Sequence, residues 1–271
     1  MNLSTLKKEW ISRPNAGELQ RQIWDGAAEN FAQKPIPDFE SNPFLNLLSS
    51  KNMLTSDTTA LDVGCGTGVY SIALASRIKT VAGVDIAPTM IAYGRERVEA
   101  LNLSNVTFSV LDWEKADIDS LGFCGKFDLV FAHMTPAVSD FSSFDKMHLC
   151  SRAYCAMAKP ARRQNAVQEA VHALVGIDEN NSGHPDDSII HAFSYLWLRG
   201  CSPEITYRTE HWHSIKTVKD AADWYINRLK LRKDLTSGEE QAARAYLESI
   251  SENGMVTENT STTIVTMLWH I

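Results

Sequence analysis

Apolar and polar residues alternate along this chain in two distinct rhythms. Between Gly17 and Ala32, Leu19, Ile23, Trp24, Ala27, Ala28 and Phe31 recur at helical spacing. Pro35 and Pro37 close that run. Asn42-Pro43 then predicts a short helix, because Asn caps and Pro suits the first helical position. Residues 1–55 therefore read as a broken helical lead-in. From Thr59 the rhythm changes to short apolar runs separated by helical stretches. Ala60-Leu61-Asp62-Val63 reads as a strand, Val69–Arg77 as a helix, and Thr80–Val84 as a second strand. Pro88–Leu101 is expected helical, with strands at Val106–Leu111 and Phe127–Ala132. Buried strands alternating with helices predict a parallel sheet covered by helices.

The later pattern is plainer in kind than in boundary. Phe141–Ala153 is expected as a helix and Tyr154–Lys159 as a fifth strand. Helices are expected at Asn165–Leu174 and Asp186–Leu198, with a polar loop at Asp178–Pro185 between them. Glu204–Ile215 reads as a strand, Thr217–Leu231 and Glu239–Ile250 as helices, and Thr263–Ile271 as a last buried strand. No repeat or low-complexity segment interrupts the chain.

Composition narrows the class of protein. The 271 residues are 44% apolar and 22% charged, ordinary values for a globular chain. The formal charge is −7, with no run of Lys or Arg, which argues against nucleic acid or an anionic membrane as partner. Cys65, Cys124, Cys150, Cys155 and Cys201 are scattered, which favours neither a disulfide framework nor a zinc site. No metal site is expected. MNLSTLKKEW lacks the apolar core of a signal peptide, and no run is long enough to span a bilayer. A cytoplasmic location is the expectation.

The chemistry gathers at strand ends. In an open parallel sheet, ligands bind outside the carboxyl ends of the strands. Asp62 and Gly64-Cys65-Gly66-Thr67-Gly68 follow the first strand, Asp85 the second, Asp112-Trp113 the third, and His133 the fourth. Glycines let the backbone approach a ligand closely, and the next helix offers free N–H groups to an anion. An acidic residue at the second strand end can accept bonds from both ribose hydroxyls. Asp112 can accept from an exocyclic amine, while Trp113 and Ile86 offer apolar surface to a purine. A nicotinamide site expects G-x-G-x-x-G, but Val69 stands where its third glycine belongs.

Ala60–Gly68 resembles the first motif of class I S-adenosylmethionine-dependent methyltransferases. Asp85, Asp112-Trp113 and Phe127-Asp128-Leu129-Val130 resemble that family's later motifs in order and spacing. Trp24-Asp25-Gly26-Ala27-Ala28-Glu29-Asn30-Phe31 resembles the lead-in helix of its small-molecule members. The resemblance is specific over about residues 56–160. It implies an α/β fold with a seven-stranded, mostly parallel sheet, helices on both faces and an antiparallel last strand. Extra N-terminal and C-terminal helices would border the cleft.

One domain is expected over 1–271: lead-in 1–55, cofactor core 56–160, and substrate-side half 161–271 with a helical insertion at 217–250. The implied cofactor is S-adenosylmethionine, with S-adenosylhomocysteine as product. It would be bound by Trp24, Phe31, Asp62, Gly64, Cys65, Gly66, Asp85, Ile86, Met90, Asp112, Trp113 and His133. The expected reaction is methyl transfer to O, N or S of a small molecule; the alternative is a non-catalytic or regulatory subunit that binds the same cofactor.

His133 is the candidate catalytic residue, because imidazole titrates near neutrality and the resemblance places the methyl beside it. A backbone contact is the alternative role. The sequence His133-Met134-Thr135-Pro136 departs from the Asn/Asp-Pro-Pro-Tyr/Phe of amino-methyltransferases acting on DNA or protein amides. Thr135, Arg162 and His211 are candidate acceptor contacts. Arg162-Arg163 follows the fifth strand, where Arg can hold a carboxylate or phosphate. Thr209, His211 and His213 share one strand face by period two, with Glu210 on the other. Trp197, Trp212, Trp224 and Trp269 read mainly as core.

Overall fold

The structure, a computed structural model, describes residues 2–11, 16–177 and 187–271. Three helices lead in: α1 (Leu3–Glu9), α2 (Ala16–Ala32) and α3 (Pro43–Ser50). Then follow β1 (Thr59–Val63), α4 (Val69–Leu74), β2 (Thr80–Asp85), α5 (Pro88–Ala100), β3 (Val106–Val110), β4 (Phe127–His133) and α6 (Phe141–Cys150). The chain continues with β5 (Ser151–Gln164), α7 (Ala166–Leu174), α8 (Asp187–Leu198), β6 (Glu204–Thr217), α9 (Val218–Lys230), α10 (Ser237–Ser249) and β7 (Met255–His270).

The strands form one sheet in the order β3-β2-β1-β4-β5-β7-β6, mostly parallel with the last strand antiparallel. The direction of winding reverses at β1, which has β2 on one side and β4 on the other. That reversal opens a crevice at its carboxyl end. Register aligns the neighbouring ends: Val63 partners Val84, Asp85 partners Val110, and His133 partners Ala158. At the opposite end Asp128 stitches three strands together. Its carboxylate accepts from Thr59 N and Oγ1, both at 2.8 Å, and from Arg152 at 2.7 and 3.0 Å. The Arg152 bond holds its pKa down at about 2.

Helix starts follow local chemistry. Asn42 caps α3 through Phe44 N and Leu45 N, with Pro43 behind it. Asp140 and Ser143 form a capping box on α6, and Thr236 and Glu239 form another on α10.

The chain gathers into two compact units, 1–159 with 188–206 and 266–271, and 160–187 with 207–265. The first has a core built around Phe144, which packs on Trp10, Tyr195 and Trp269. The second has its own core, in which Val171, Tyr225, Leu229, Leu247 and Val256 are buried. The stretch 217–250, expected as an insertion, lies within this second unit, which also takes in 160–187.

The boundaries differ most from expectation at three places. The helix expected to reach Ala153 ends at Cys150, because Ser151 already pairs with Phe127 across a bulge. The fifth strand runs on to Gln164, and the last begins at Met255 instead of Thr263. Half-polar residues such as Thr257, Asn259 and Thr260 are strand here because sheet pairing overrides local propensity. The polar loop expected at Asp178–Pro185 lies outside the described residues.

Candidate functional site

The loop after β1 is shaped by its glycines. Gly64 N and Cys65 N both donate to Val84 O, at 2.8 and 3.0 Å, which ties the loop to the end of β2. Gly64 has φ +71°, and a Cβ there would lie 2.0 Å from Thr135 Oγ1. Gly66 has φ +55°, and its absent side chain leaves open space, with Met90 Sδ the nearest atom at 3.9 Å. The loop backbone is thus exposed to the crevice at Gly66 and pressed against the β4 loop at Gly64.

Asp85 organises the crevice from β2. Its Oδ2 accepts from Gly66 N at 2.8 Å and its Oδ1 from Ala87 N at 2.9 Å. Burial raises its pKa, and the two backbone N–H groups oppose that rise. A carboxylate has about four lone-pair sites, so each oxygen keeps capacity for a ligand hydroxyl. Asp62, by contrast, faces inward. It is 2% exposed and accepts from Ser71 Oγ at 2.7 Å, fixing the start of α4 against β1. Burial pushes its pKa up to about 7. Cys65 is half-buried beside Gly83, its thiol pKa raised by burial.

Helix α2 lies across the loop and α5. Thr67 Oγ1 donates to Phe31 O at 3.3 Å, and Asp25 Oδ1 accepts from Thr89 N at 2.9 Å. Asp25 thereby caps α5, whose own N-cap residue, Ala87, has no side-chain acceptor. Arg97 reaches from α5 to Ala32 O and, at 2.8 Å, to Lys34 O. Trp24 and Phe31 meet edge to face at 5.9 Å and pack with Ala28, Ala87 and Met90. At the helix start, a Cβ on Gly17 would lie 3.2 Å from Asp112 Oδ2 and 3.7 Å from Ile86 Cδ1. Asp112 pairs with Lys115 at 2.9 Å.

The structure brings together Trp24, Phe31, Gly64, Cys65, Gly66, Asp85, Ile86, Met90 and Asp112 around the ends of β1, β2 and β3. Trp113 is placed elsewhere. It is 3% exposed in the main core, and its Nε1 donates to Ser143 O at 3.0 Å. His133 ends β4 with its ring against Tyr70 and Phe44, centroids 4.0 and 4.6 Å away. The next residue, Met134, has φ +55° and donates its N–H to Ala158 O. Thr135 Oγ1 accepts from Ala137 N at 3.1 Å.

Arg162 and His211 belong to the second unit. Arg162 is exposed, with φ +46°. Along β6, Thr209, His211 and His213 are exposed and alternate with half-buried neighbours, as period two requires. Glu210 on the other face accepts from Trp212 Nε1 at 2.8 Å and Arg208 Nε at 2.7 Å. An open cleft of about 670 Å³ in this unit is lined by Asn165, Glu169, His211, Trp212, His213 and Asn259, among others. Among the described residues no group of three His, Cys, Asp or Glu could hold a metal ion, and no helix is long and apolar enough to cross a membrane.

Thr67, Asp25, Tyr70 and Gly17 carry the site without having stood out in the sequence. Only Thr67 had a signal, its place inside the glycine loop.

Comparison with known proteins agrees with this geometry. The family described as "Methyltransferase domain" matches residues 54–176. Residues 54–176 thus match a methyltransferase domain, and the sheet is that of the class I methyltransferase fold. The matched domain points to S-adenosylmethionine as the cofactor. A malonyl-[acyl-carrier protein] O-methyltransferase of Acetivibrio thermocellus is 38% identical over 119 residues, 43% of this chain. That match spans only 38% of the relative's own length. A release factor glutamine methyltransferase of Vibrio cholerae is 30% identical over 111 residues, 38% of each chain. The methyltransferase fold extends further than these matches. The [4+2]-cyclase SpnF superposes with a TM-score of 0.52 at 15% identity, covering 95% of this chain and 98% of that one. BH2331 from Bacillus halodurans C-125 gives 0.52 at 15% identity, covering 84% and 99%. Those likenesses concern the fold alone, and a fold shared with a cyclase does not assign a reaction.

The methyltransferase domain's crevice fits its cofactor on two observations. Open space stands over the Gly66 backbone, and the half-buried Asp85 carboxylate, with two backbone donors, has lone-pair capacity left beside it.

Proposed function

We propose that this chain transfers the methyl group of S-adenosylmethionine to O, N or S of a small-molecule acceptor. The observation that carries the reading is the half-buried Asp85 carboxylate, held by two backbone N–H groups, one of them that of Gly66, over which space is open. That arrangement suits a ribose with two vicinal hydroxyls. Gly64, Cys65 and Gly66 bring backbone alongside the nucleoside, and Ile86 and Asp112 flank its base. Trp24, Phe31 and Met90 supply the apolar side. When bound, the cofactor supplies a methyl on a sulfonium sulfur, open to direct displacement by an acceptor lone pair. The chain's task is then to align the acceptor and exclude water. The net charge of −7 favours a small acceptor over nucleic acid.

The test is Asp85→Ala with calorimetric titration of S-adenosylhomocysteine. Loss of hydrogen bonds to a charged group costs about 1.5–3 kcal/mol, so affinity should fall roughly tenfold to a hundredfold. The melting temperature of the apo protein should fall by a few degrees, because Gly66 N and Ala87 N lose their acceptor. Unchanged affinity would remove Asp85 from the site.

His133 acts on the acceptor side of this reading. Tyr70 and Phe44 fix its ring at the end of β4, and it serves as base only when the acceptor must lose a proton. Thr135, in the same unit as His133, is a further proposed acceptor contact. With a turned-over acceptor in hand, His133→Asn should abolish the titrating limb of the pH–rate profile. A limb that survives the substitution assigns the proton to another group.

A further inference from the structure

We propose that Lys159 and His191 form an acceptor-recognition pair, selecting an acceptor that carries an anionic group, carboxylate or phosphate. The proposal rests on the methyltransferase reading and names its substrate class. It begins from the register of β4 and β5. Ala158 partners His133, so Lys159 stands one residue beyond the strand end proposed to face the acceptor. Cys155 and Met157, on the same face of β5 by period two, are buried in the core of the first unit. Lys159 continues that face to its rim.

Among the described residues, the Lys159 ammonium has no hydrogen-bond or ion-pair partner. Asp140 is the carboxylate that most favours its charge, but that carboxylate is engaged as the cap of α6. Its Oδ1 accepts from Ser143 N at 2.8 Å and from Ser143 Oγ at 2.5 Å. Burial lowers the Lys159 pKa to about 8, against the pull of Asp140. A half-buried cation without a contacting anion is costly unless a ligand completes it.

His191 supplies the second donor. It lies on α8 and stacks on Trp10, ring centroids 5.7 Å apart. Its Nδ1 is buried and, among the described residues, has no hydrogen-bond partner. Trp10 Nε1 donates to Ser139 O at 2.9 Å, next in the chain to Asp140. His191 is thus linked to the Ser139–Asp140 turn through Trp10, and Lys159 is coupled to the same turn through the charge of Asp140. Phe141, whose N–H donates to Trp10 O, adds apolar surface beside them. A carboxylate or phosphate can accept from both an ammonium and an imidazole N–H. The net charge of −7 gives an anion no long-range attraction, so recognition has to be supplied by such close-range donors.

The test is competitive trace acetylation of the full chain, read lysine by lysine by peptide mass spectrometry. S-adenosylhomocysteine is present throughout, and benzoate, phenyl phosphate or neutral benzyl alcohol is added in turn. With the anion at a few times its Kd, occupancy should protect Lys159 roughly threefold to tenfold relative to the other lysines. Protection by benzoate alone, or by phenyl phosphate alone, identifies the anion. His191→Gln should weaken that protection. Lys159 that resists acetylation altogether, or that is protected by neither anion, or equally by benzyl alcohol, overturns the proposal. Protection that is undiminished in His191→Gln removes His191 from the pair and overturns it as stated. Calorimetry with S-adenosylhomocysteine on the same preparation keeps the two readings apart. Its failure strikes the cofactor site, whereas the labelling pattern strikes Lys159 and His191.

Discussion

Gly64→Ala should disrupt the geometry of the cofactor loop. The backbone at Gly64 has φ +71°, where a side chain costs about 1–2 kcal/mol. The new Cβ would also stand 2.0 Å from Thr135 Oγ1 and 2.8 Å from Thr135 Cβ, so a flexible tip cannot simply swing aside. Overpacking of that kind adds about 1–3 kcal/mol. The sum, about 2–5 kcal/mol, corresponds to a fall in melting temperature of roughly 5–15 °C for a chain of this size. Binding of S-adenosylhomocysteine should fall with it, because Gly66 and its bond to Asp85 lie two residues on. The second arm is Gly64→Ala with Thr135→Gly. That pair removes the clash and keeps the backbone cost, so part of the lost stability should return. A single variant as stable as the parent, measured by calorimetry, would contradict the packing described at this turn.

Asp62→Asn should become more favourable relative to the parent as pH rises. Burial lifts the Asp62 pKa from 3.8 to about 7. Between those values the folded chain holds a proton that the unfolded chain has released. Stability associated with this group is therefore fully present below about pH 4 and is lost as pH rises to about 7. Asn carries no charge and keeps an oxygen for Ser71 Oγ, so it escapes that loss. From pH 5 to pH 8 the variant should gain on the order of 2–3 kcal/mol relative to the parent. Melting curves of both proteins at the two pH values measure this directly. A difference that stays constant with pH would show that Asp62 is charged throughout.

The cofactor crevice was legible in the sequence because its parts are local. A strand, a glycine loop and an acidic residue one strand later follow one another in a fixed order, and the sheet places their ends side by side. Trp113 shows where that logic stops. Its position after β3 was read correctly, but Ser143 O, thirty residues away, takes its indole N–H and draws the ring into the core. The same applies to Asp25 capping α5 and to Tyr70 packing on His133, both long-range contacts with no periodic trace. The long strands β5, β6 and β7 were read short for a related reason. In the second unit Asn259, His211 and His213 are exposed on an open sheet face, so the apolar run that marks a buried strand is missing.

The attachment of α2 to α5 has an asymmetry in what it specifies. Arg97 reaches the main-chain carbonyls of Ala32 and Lys34, and Thr67 reaches that of Phe31. Every residue type carries a carbonyl, so the clasp is indifferent to the identities at 31, 32 and 34. Apart from Asp25, whose carboxylate caps α5, the side-chain chemistry of the attachment sits on Arg97 and Thr67. The cover can therefore be re-tailored, its side chains exchanged to suit a differently shaped guest, without rewriting the hinge pins that hold it down.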